Sequence, residues 1–393
     1  MAFNRRTVLK IAGATVVVAG AGLAWRAYDR GVFNAGTGPA YEPWKTWGSG
    51  QPGEPMRLVQ AAILAANPHN SQPWLFRIGS DVVDVFADTV RNIGAIDPYL
   101  REMYMGVGCA IENLRIAAAH DGYQTEVSLM PDVGHPAHAA RIRLARATPA
   151  LSDLYDAIPK RHTNRGAYDT ARIVTADQLS ELAGLATGLQ DAKVEWFVSP
   201  ESRKRIGELT VAATEAIIAD PQQSGDSARW FRWQWEDVLE HRDGLTLDAQ
   251  ALPPLINFAA RVLPPMSQEQ ADAGWLKSTR EVHVATAAAF GFIVVSDPVD
   301  PASRLRGGQL WQRLHLKATA MGLAAHPLNQ MPERADREKQ LGIEPRFGNA
   351  LQELAGNPGL QVLMPFRIGY PTVVSKPSPR RDVQSVLVKS VTA

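Results

Sequence analysis

The chain has 393 residues, of which 45% are apolar and 21% are charged, so it is long enough for two domains or for one domain built from two similar halves. These fractions are typical of a soluble globular protein with a substantial core. The net charge of +1 gives no electrostatic reason to expect a nucleic acid as a partner. Because Cys109 is the only cysteine, the chain can form no internal disulfide and no cysteine-based metal cluster.

Residues 1–27 have the pattern of a twin-arginine export signal. Arg5 and Arg6 precede an apolar run from Ile11 to Trp25 that is rich in glycine and alanine. We therefore expect a partnership with the twin-arginine export machinery and a periplasmic or extracytoplasmic location. Since this route moves folded proteins that often carry a cofactor, the segment also favours a cofactor. The alternatives are an uncleaved anchor, although a run of about 15 residues is short for a membrane span of about 20, and a fortuitous arginine pair before a buried helix.

The periodic sequence begins after a linker arm, residues 28–55, that is rich in glycine and proline. A helix is predicted from Met56, followed by two strands in "WLFRIGSDVVDVFAD" that a Gly-Ser-Asp turn connects. A long apolar helix ending at Gly122 and two further strands complete a first half, residues 56–150.

A repeat with an offset of 200 residues predicts that the second half, residues 151–393, is related to the first. Five positions of the long helix recur, namely Gly108, Leu114, Ile116, Ala118 and Gly122, which match Gly308, Leu314, Leu316, Ala318 and Gly322. The alternative is that these matches reflect only the general similarity of apolar helices that end in glycine. We expect an α+β fold in which two related halves form an internal pseudo-dimer, and hence a monomer, because the fusion removes the usual need for a homodimer.

The second half contains an insertion at about residues 220–285, which is rich in tryptophan. Trp230, Trp233 and Trp235 lie close together in it, and Trp275 follows. Two interpretations stay open, a helical subdomain that uses tryptophan as core filler and a lid whose aromatic side chains close over a flat ligand.

Two polar motifs carry the candidate chemistry. The first half contains "AANPHNSQPW" (Ala65 to Trp74), which is rich in carboxamides and has no strong acid or nucleophile. The second half opens with "KRHTNRGAY", in which Arg161 and Arg165 flank Thr163. Two guanidinium groups and a hydroxyl suit a phosphate group, although a solvated basic surface is the alternative.

Taken in order, these motifs resemble those of the nitroreductase-like flavoproteins, which bind FMN. The family's Arg-Arg-Ser-x-Arg opening corresponds to Arg161–Arg165, and its Asn-x-Gln-Pro-Trp loop corresponds to Asn70–Trp74. Its alanine-rich helix ending in Gly-Leu corresponds to Ala318–Leu323. Its Gly-Tyr-Pro followed by basic residues corresponds to Gly369–Pro371 with Arg380 and Arg381. The loop lies in one half and the opening lies in the other. This distribution is similar to that in the tandem, lid-bearing Acg-type branch, in which one chain keeps one of two sites.

The resemblance implies an exported FMN-binding oxidoreductase that passes electrons from NAD(P)H to a small aromatic acceptor such as a nitroaromatic or a quinone. The implied cofactor-binding residues are Arg161, Thr163, Arg165, Arg380 and Arg381 for the phosphate, and Asn67, His69, Asn70, Gln72, Asn329 and Gln330 around the ring. Departures from the family motif, such as Ala66-Asn67 in place of Pro-Ser, weaken what it implies about the substrate. The alternative function is a flavin-sequestering protein with little or no turnover, and a degenerate fold with an empty site is a third possibility.

No side chain is required as an acid, base or nucleophile, because the flavin would carry the chemistry. His69 is the one catalytic candidate, with a neutral hydrogen-bonded loop histidine as the alternative. We expect no metal site, since His135 and His138 have no acidic or cysteine companions. The sequence has no nucleophile elbow, no P-loop and no Gly-x-Gly-x-x-Gly fingerprint.

Overall fold

The computed structural model describes residues 24–51, 54–263, 266–357 and 359–388. The predicted export signal therefore lies outside the described residues, except for its last few positions from Ala24 onward. Within the described ranges, no helix combines the length and the apolar character that crossing a bilayer would need.

Two four-stranded antiparallel sheets form the framework, one in each half of the chain. The first sheet contains β1 (Trp74–Ile78), β2 (Val82–Ala87), β3 (Tyr123–Leu129) and β4 (His138–Arg146). The second contains β5 (Lys193–Phe197), β8 (Ala289–Val295), β9 (Ala324–Pro327) and β10 (Gln361–Gly369), and a small parallel pair joins β6 (Phe231–Arg232) to β7 (Leu245–Thr246).

The order of the strands is the same in both sheets. It is β1-β2-β4-β3 in the first and β5-β8-β10-β9 in the second, so each sheet places its fourth strand between its second and third. In both halves the long helix lies in the chain between the second and third strands. This common topology confirms the predicted α+β fold built from two related halves.

Thirteen α-helices have bounds within the described ranges. They are α1 (Pro43–Thr46), α2 (Pro55–Ala62), α3 (Arg101–His120), α4 (Asp153–Ala157), α5 (Ala176–Gly184), α6 (Pro200–Ile218), α7 (Pro221–Ala228), α8 (Trp235–His241), α9 (Pro254–Val262), α10 (Gln268–Ser278), α11 (Pro301–Ala320), α12 (Gln330–Leu341) and α13 (Arg346–Ala355).

The long helices α3 and α11 cross at two glycines that occupy equivalent positions in the repeat. A Cβ atom on Gly108 would lie 2.2 Å from the carbonyl oxygen of Leu305, and one on Gly308 would lie 2.0 Å from that of Met105. Met105 and Leu305 are themselves 200 residues apart, so the contact is symmetric. Only glycine permits the two backbones to approach this closely, which explains the repeated glycine in the sequence.

The insertion forms helices α7 to α10 and the β6–β7 pair. Trp230 and Trp275 pack against a small cluster of Ile93, Ile96 and Ile217, and Trp235 stacks on Tyr41 with 6.4 Å between the ring centroids. These tryptophans pack against the protein itself, as the core-filler interpretation predicts.

The C-terminal arm, residues 370–388, returns from the second half to the first. Leu387 forms a parallel bridge with Phe76 of β1, and the Val388 N–H donates to the carbonyl oxygen of Phe76 over 2.8 Å. The arm thereby carries Arg380 and Arg381 to the first half.

Candidate functional site

The segment Asn67–Trp74, here called the amide loop, leaves α2 in a left-handed backbone conformation that is unusual for residues other than glycine. The φ angles of His69, Asn70 and Gln72 are 47°, 54° and 52°. Such angles persist only where neighbouring contacts hold them. Here the Asn67 Oδ1 accepts from the Gln72 N–H over 2.8 Å, so a carboxamide of the loop itself closes it.

The segment Arg161–Arg165, here called the clamp segment, meets the end of α2. Arg161, which is buried, donates through Nη2 to the carbonyl oxygen of Leu64 over 3.0 Å. Arg380 from the C-terminal arm donates through Nη2 to the next carbonyl oxygen, that of Ala65, over 3.2 Å. The clamp segment and the amide loop therefore meet, although some ninety residues separate them in the chain.

The two segments line a cleft with an empty volume of about 350 Å³. This volume includes space that is open to solvent at the mouth of the cleft. Six of the predicted cofactor-binding residues line it, namely Asn67, Asn70, Arg161, Thr163, Arg165 and Arg380, together with Trp44, Ala66, His162, Leu245 and Ser378. The lining comes from both halves and from both arms of the chain.

The cleft has an excess of positive charge. Within the described part of the chain, none of Arg161, Arg165 and Arg380 has an acidic side chain within ion-pair distance. Burial lowers the pKa of Arg161 to about 10, and burial together with the neighbouring Arg367 lowers that of Arg165 to about 10. Arg161 and Arg165 therefore remain cationic at neutral pH, while burial, with a smaller contribution from the charge of Arg161, lowers the pKa of Arg380 well below its ordinary value. Buried charges are normally paired, so this arrangement is suited to an anionic ligand.

Two of these arginines also have a polar atom without a partner. The Nε atoms of Arg161 and Arg380 are buried and have no hydrogen-bond acceptor within the described residues. A buried donor without an acceptor costs free energy, and a ligand that carries several acceptor oxygens would satisfy it. The donor set therefore fits a phosphate group.

Aromatic rings form one wall of the cleft. The guanidinium carbon of Arg380 lies 4.8 Å from the ring centroid of Trp44, and the His162 ring packs edge-on against the same indole at 4.6 Å. The Trp44 Nε1 donates to the carbonyl oxygen of Ser378 over 2.8 Å. The N-terminal arm thus contributes to the site, which the prediction of a linker arm did not include.

The segment Arg242–Ala249 of the insertion, here called the strap, covers the cleft. The Asn70 Nδ2 donates to the carbonyl oxygen of Gly244 over 3.1 Å, and the Gly244 N–H donates to that of Asn70 over 3.2 Å. At the far end, Arg165 donates to the carbonyl oxygen of Ala249 over 3.2 Å. The strap therefore lies against both the amide loop and the clamp segment.

A buried carboxylate fastens the strap. Asp243, which is 4% exposed, accepts from Arg91 and from the Nε of Arg232 at 2.9 Å. Arg91 also donates to the carbonyl oxygen of Ser71 in the amide loop. Asp243 and its two arginines thus connect the strap to the amide loop, which gives the insertion a covering role beside its tryptophan packing.

His69 points away from the cleft, toward the insertion. Its Nε2 lies 2.9 Å from the Ser227 hydroxyl, and burial, with a smaller contribution from Arg165, lowers its pKa to about 4. The ring is therefore neutral at pH 7. It holds the amide loop to α7 and is not among the residues that line the cleft.

Four other predicted residues also lie outside the lining. Gln72 accepts from the Arg381 N–H over 2.8 Å and donates to the carbonyl oxygen of Arg242 over 2.8 Å, so it braces the loop from behind. The Arg381 side chain lies 3.8 Å from Asp88. Asn329 and Gln330 stand at the start of α12, where their side-chain oxygens have no partner within the described residues.

A residue that sequence reasoning missed holds the clamp segment in place. Arg367 on β10 is completely buried, donating through Nη2 to the carbonyl oxygens of Asn164 at 3.3 Å and Gly166 at 2.8 Å. Its guanidinium also lies over the Tyr168 ring at 4.0 Å. The signal in the sequence that could have identified this role was the presence of an arginine within the apolar strand "QVLMPFRIG".

Two relatives resemble this chain over most of their length. The Mycobacterium tuberculosis protein named "Putative NAD(P)H nitroreductase Rv3131" is 26% identical over 336 residues, which cover 84% of this chain and 90% of that protein. The protein Rv3127 of the same organism, named as uncharacterized, is 26% identical over 84% of this chain and 91% of its own length. A third, "Putative NAD(P)H nitroreductase acg", is 34% identical over 110 residues, which cover 33% of it.

Solved structures match about three fifths of the chain at low similarity. The FMN-dependent nitroreductase NfnB of Mycobacterium smegmatis in complex with NADPH has 16% identity and a TM-score of 0.38, covering 61% of this chain and 100% of that one. A nitroreductase with bound FMN from Bacteroides fragilis has 13% identity and a TM-score of 0.35, covering 56% and 90%. No protein-family model matches the chain.

Proposed function

We propose that the protein is an FMN-binding, nitroreductase-like oxidoreductase that passes electrons from NAD(P)H to a small acceptor such as a nitroaromatic or a quinone. The observation that carries this proposal is the convergence, in one cleft, of carboxamides from the first half and unpaired buried arginines from the second. The similarity to mycobacterial proteins named as NAD(P)H nitroreductases supports it over most of the chain.

The arginines and Thr163 would hold the FMN phosphate. Arg161 and Arg380 each offer a buried Nε–H for which the described part of the chain supplies no acceptor, and Arg165 adds a third cationic group. Charge-assisted hydrogen bonds from guanidinium to phosphate are among the strongest in proteins.

The carboxamides differ in what they can still offer to a ring. Asn70 donates to the carbonyl oxygens of Gly244 and Pro379 and accepts from Arg380, so both of its amide hydrogens have partners. Asn67 donates to the carbonyl oxygen of Ala65, so its second amide hydrogen has no acceptor among the residues that the structure describes. Asn67 would hydrogen-bond to the ring edge, while Asn70 fixes the strap, the C-terminal arm and the loop together.

FMN, when bound, would take up a hydride from a nicotinamide and deliver electrons to the acceptor. The protein supplies binding, orientation and electrostatics. Unpaired arginines stabilise negative charge in the cleft, and the strap limits the access of water. The neutral His69 ring, which is bonded to Ser227, keeps the loop in place without exchanging a proton at neutral pH.

We also propose export through the twin-arginine pathway to an extracytoplasmic location, in accordance with Arg5-Arg6 and the apolar run that follows. Loading of FMN in the cytoplasm before transport would explain the use of this route, because it moves folded proteins.

The test is to purify the full chain after cytoplasmic expression, record its flavin absorption, and add NAD(P)H followed by a nitroaromatic or a quinone. Bleaching of the flavin band and its recovery with the acceptor are expected. A flavin band that neither NAD(P)H nor the acceptor alters would favour a flavin-holding protein. A colourless protein that takes up no added FMN would contradict the proposal as a whole.

A further inference from the structure

Helix α9 in the insertion has its polar and apolar sides reversed relative to an ordinary surface helix. Its polar side chains Asn257 and Arg261 lie one turn apart, and both bind inward to the buried Asp248. Arg261 is itself 9% exposed. A surface helix normally directs its apolar stripe toward the core and its polar residues outward.

Two apolar side chains at the start of the same helix face outward, whereas Val262 at its end is buried. Leu255 is 79% exposed and Ile256 is 55% exposed, and Leu263, directly after the helix, is 61% exposed. Single exposed apolar residues are common on proteins, whereas three of them on a helix whose polar face is buried indicate a contact surface.

The N-terminal segment lies next to this helix and carries three exposed aromatic residues. Arg261 donates through Nη1 to the carbonyl oxygens of Arg30 at 3.2 Å and Gly31 at 3.4 Å. Trp25 and Tyr28 are 70% and 69% exposed, and Phe33 is 71% exposed.

We propose that this apolar patch, formed by Trp25, Tyr28, Phe33, Leu255, Ile256 and Leu263, docks onto the interface of a lipid bilayer. Tryptophan and tyrosine are enriched where a protein meets the headgroup region of a membrane. The apolar run that begins at Ile11 ends at Trp25, so the chain enters the patch directly from a segment of membrane-like composition. An apolar helix face lying in the bilayer boundary is a known mode of peripheral binding.

This inference does not rest on the proposed function, because the patch and the cleft share no residue. It predicts that the insertion lies against the membrane through α9, while the strap in the same insertion covers the cleft. The membrane surface would then border the segment that controls access to the site.

The test places a fluorescent probe within the patch of the full-length protein. Cys109 is buried, which also raises the pKa of its thiol, so a Leu255→Cys variant presents one reactive cysteine for an environment-sensitive label. The matched control is Val133→Cys, which is fully exposed in the loop between β3 and β4. Vesicles of phosphatidylcholine and phosphatidylglycerol are then added to each labelled protein.

We expect the label at position 255 to shift its emission to the blue with vesicles, while the label at position 133 does not change. Co-sedimentation with vesicles without a shift at position 255 would mean that residues 1–23 alone attach the protein, which overturns the proposal. A blue-shifted emission before vesicles are added would also overturn it. If that shift depends on protein concentration, a second copy of the chain covers the patch. If it does not depend on concentration, residues 1–23 cover the patch.

Discussion

The turns that follow α2 and α5 occupy corresponding places in the two halves, and arginines bind the backbone carbonyls of both. After α5, the carbonyl oxygens of Leu185 and Thr187 accept from Arg313, which is paired with the buried Glu112 at 2.6 Å. After α2, the carbonyl oxygens of Leu64 and Ala65 accept from Arg161 and Arg380, and neither has a carboxylate within the described residues.

The difference separates an arginine that is paired within the protein from two that, as we propose, bind a ligand. Arg313 is neutralised within the protein and completes the packing between α3 and the second half. Arg161 and Arg380 keep their charge available in a cleft, at a cost that the protein alone does not offset. The core is symmetric at Gly108 and Gly308, while the unpaired arginines lie on one side only of the described structure.

The largest effect is expected from breaking the structural pair. In Glu112→Gln, Arg313 keeps its charge in a mostly buried site, so the free energy of unfolding should fall by about 3–5 kcal/mol. Urea denaturation measures this change, and Glu281→Gln in the exposed pair with Lys277 is the matched control, with an expected loss below about 1 kcal/mol. Equal losses in the two variants would contradict the distinction.

The symmetry of the core predicts equal damage at its two glycines. Gly108→Ala and Gly308→Ala should each lower the free energy of unfolding by at least about 1–3 kcal/mol, because each new Cβ meets a backbone carbonyl of the other helix. Gly225→Ala in α7 is the control, since no atom lies within 4 Å of its Cβ position, and a gain of about 0.5–1 kcal/mol is expected there. Damage at only one of the two crossing glycines would show that the packing is not symmetric.

The strap lies on the side of the proposed site, and Asp243→Asn should loosen it. Weakening charge-assisted bonds to Arg91 and Arg232 by about 1.5 kcal/mol should raise both the association and the dissociation rate of FMN about tenfold, with little change in Kd. Stopped-flow flavin fluorescence measures these rates. Unchanged rates would mean that FMN reaches the cleft without movement of the strap.

The histidines near the unpaired arginines predict a smaller, pH-dependent effect. Burial is the main cause that lowers the pKa of His69 to about 4 and of His162 to about 3, whereas both take up protons near pH 6.5 in the unfolded chain. The unfolded state therefore binds more protons, and stability should decrease as the pH falls below 6.5 toward 4, by about 1.4 kcal/mol per histidine at pH 5.5. Denaturation of His69→Gln at pH 7.5 and 5.5 should show a weaker pH dependence than the wild type. A dependence equal to that of the wild type would contradict this assignment.

Much of the fold followed from local patterns in the sequence. The offset of 200 residues identified the two related halves because a close helix crossing requires glycine at both equivalent positions. The same reasoning could not find Trp44 or Leu245 in the cleft, since an arm and an insertion carry them there through long-range contacts. Periodicity likewise does not show which way a loop side chain points. The sequence therefore could not predict that Asn67 lines the cleft whereas His69 and Gln72 do not.

The central claim is that unpaired cationic side chains in the cleft hold the phosphate of FMN, and the affinity of Arg165→Met for FMN tests it most directly. Fluorescence titration should give a Kd roughly ten- to a hundredfold above that of the wild type, while Arg381→Met, whose side chain lies outside the cleft lining, should match the wild type. The free energy of unfolding without FMN should not decrease in Arg165→Met, because removing this charge relieves its repulsion with Arg367. An unchanged Kd in Arg165→Met would contradict the account.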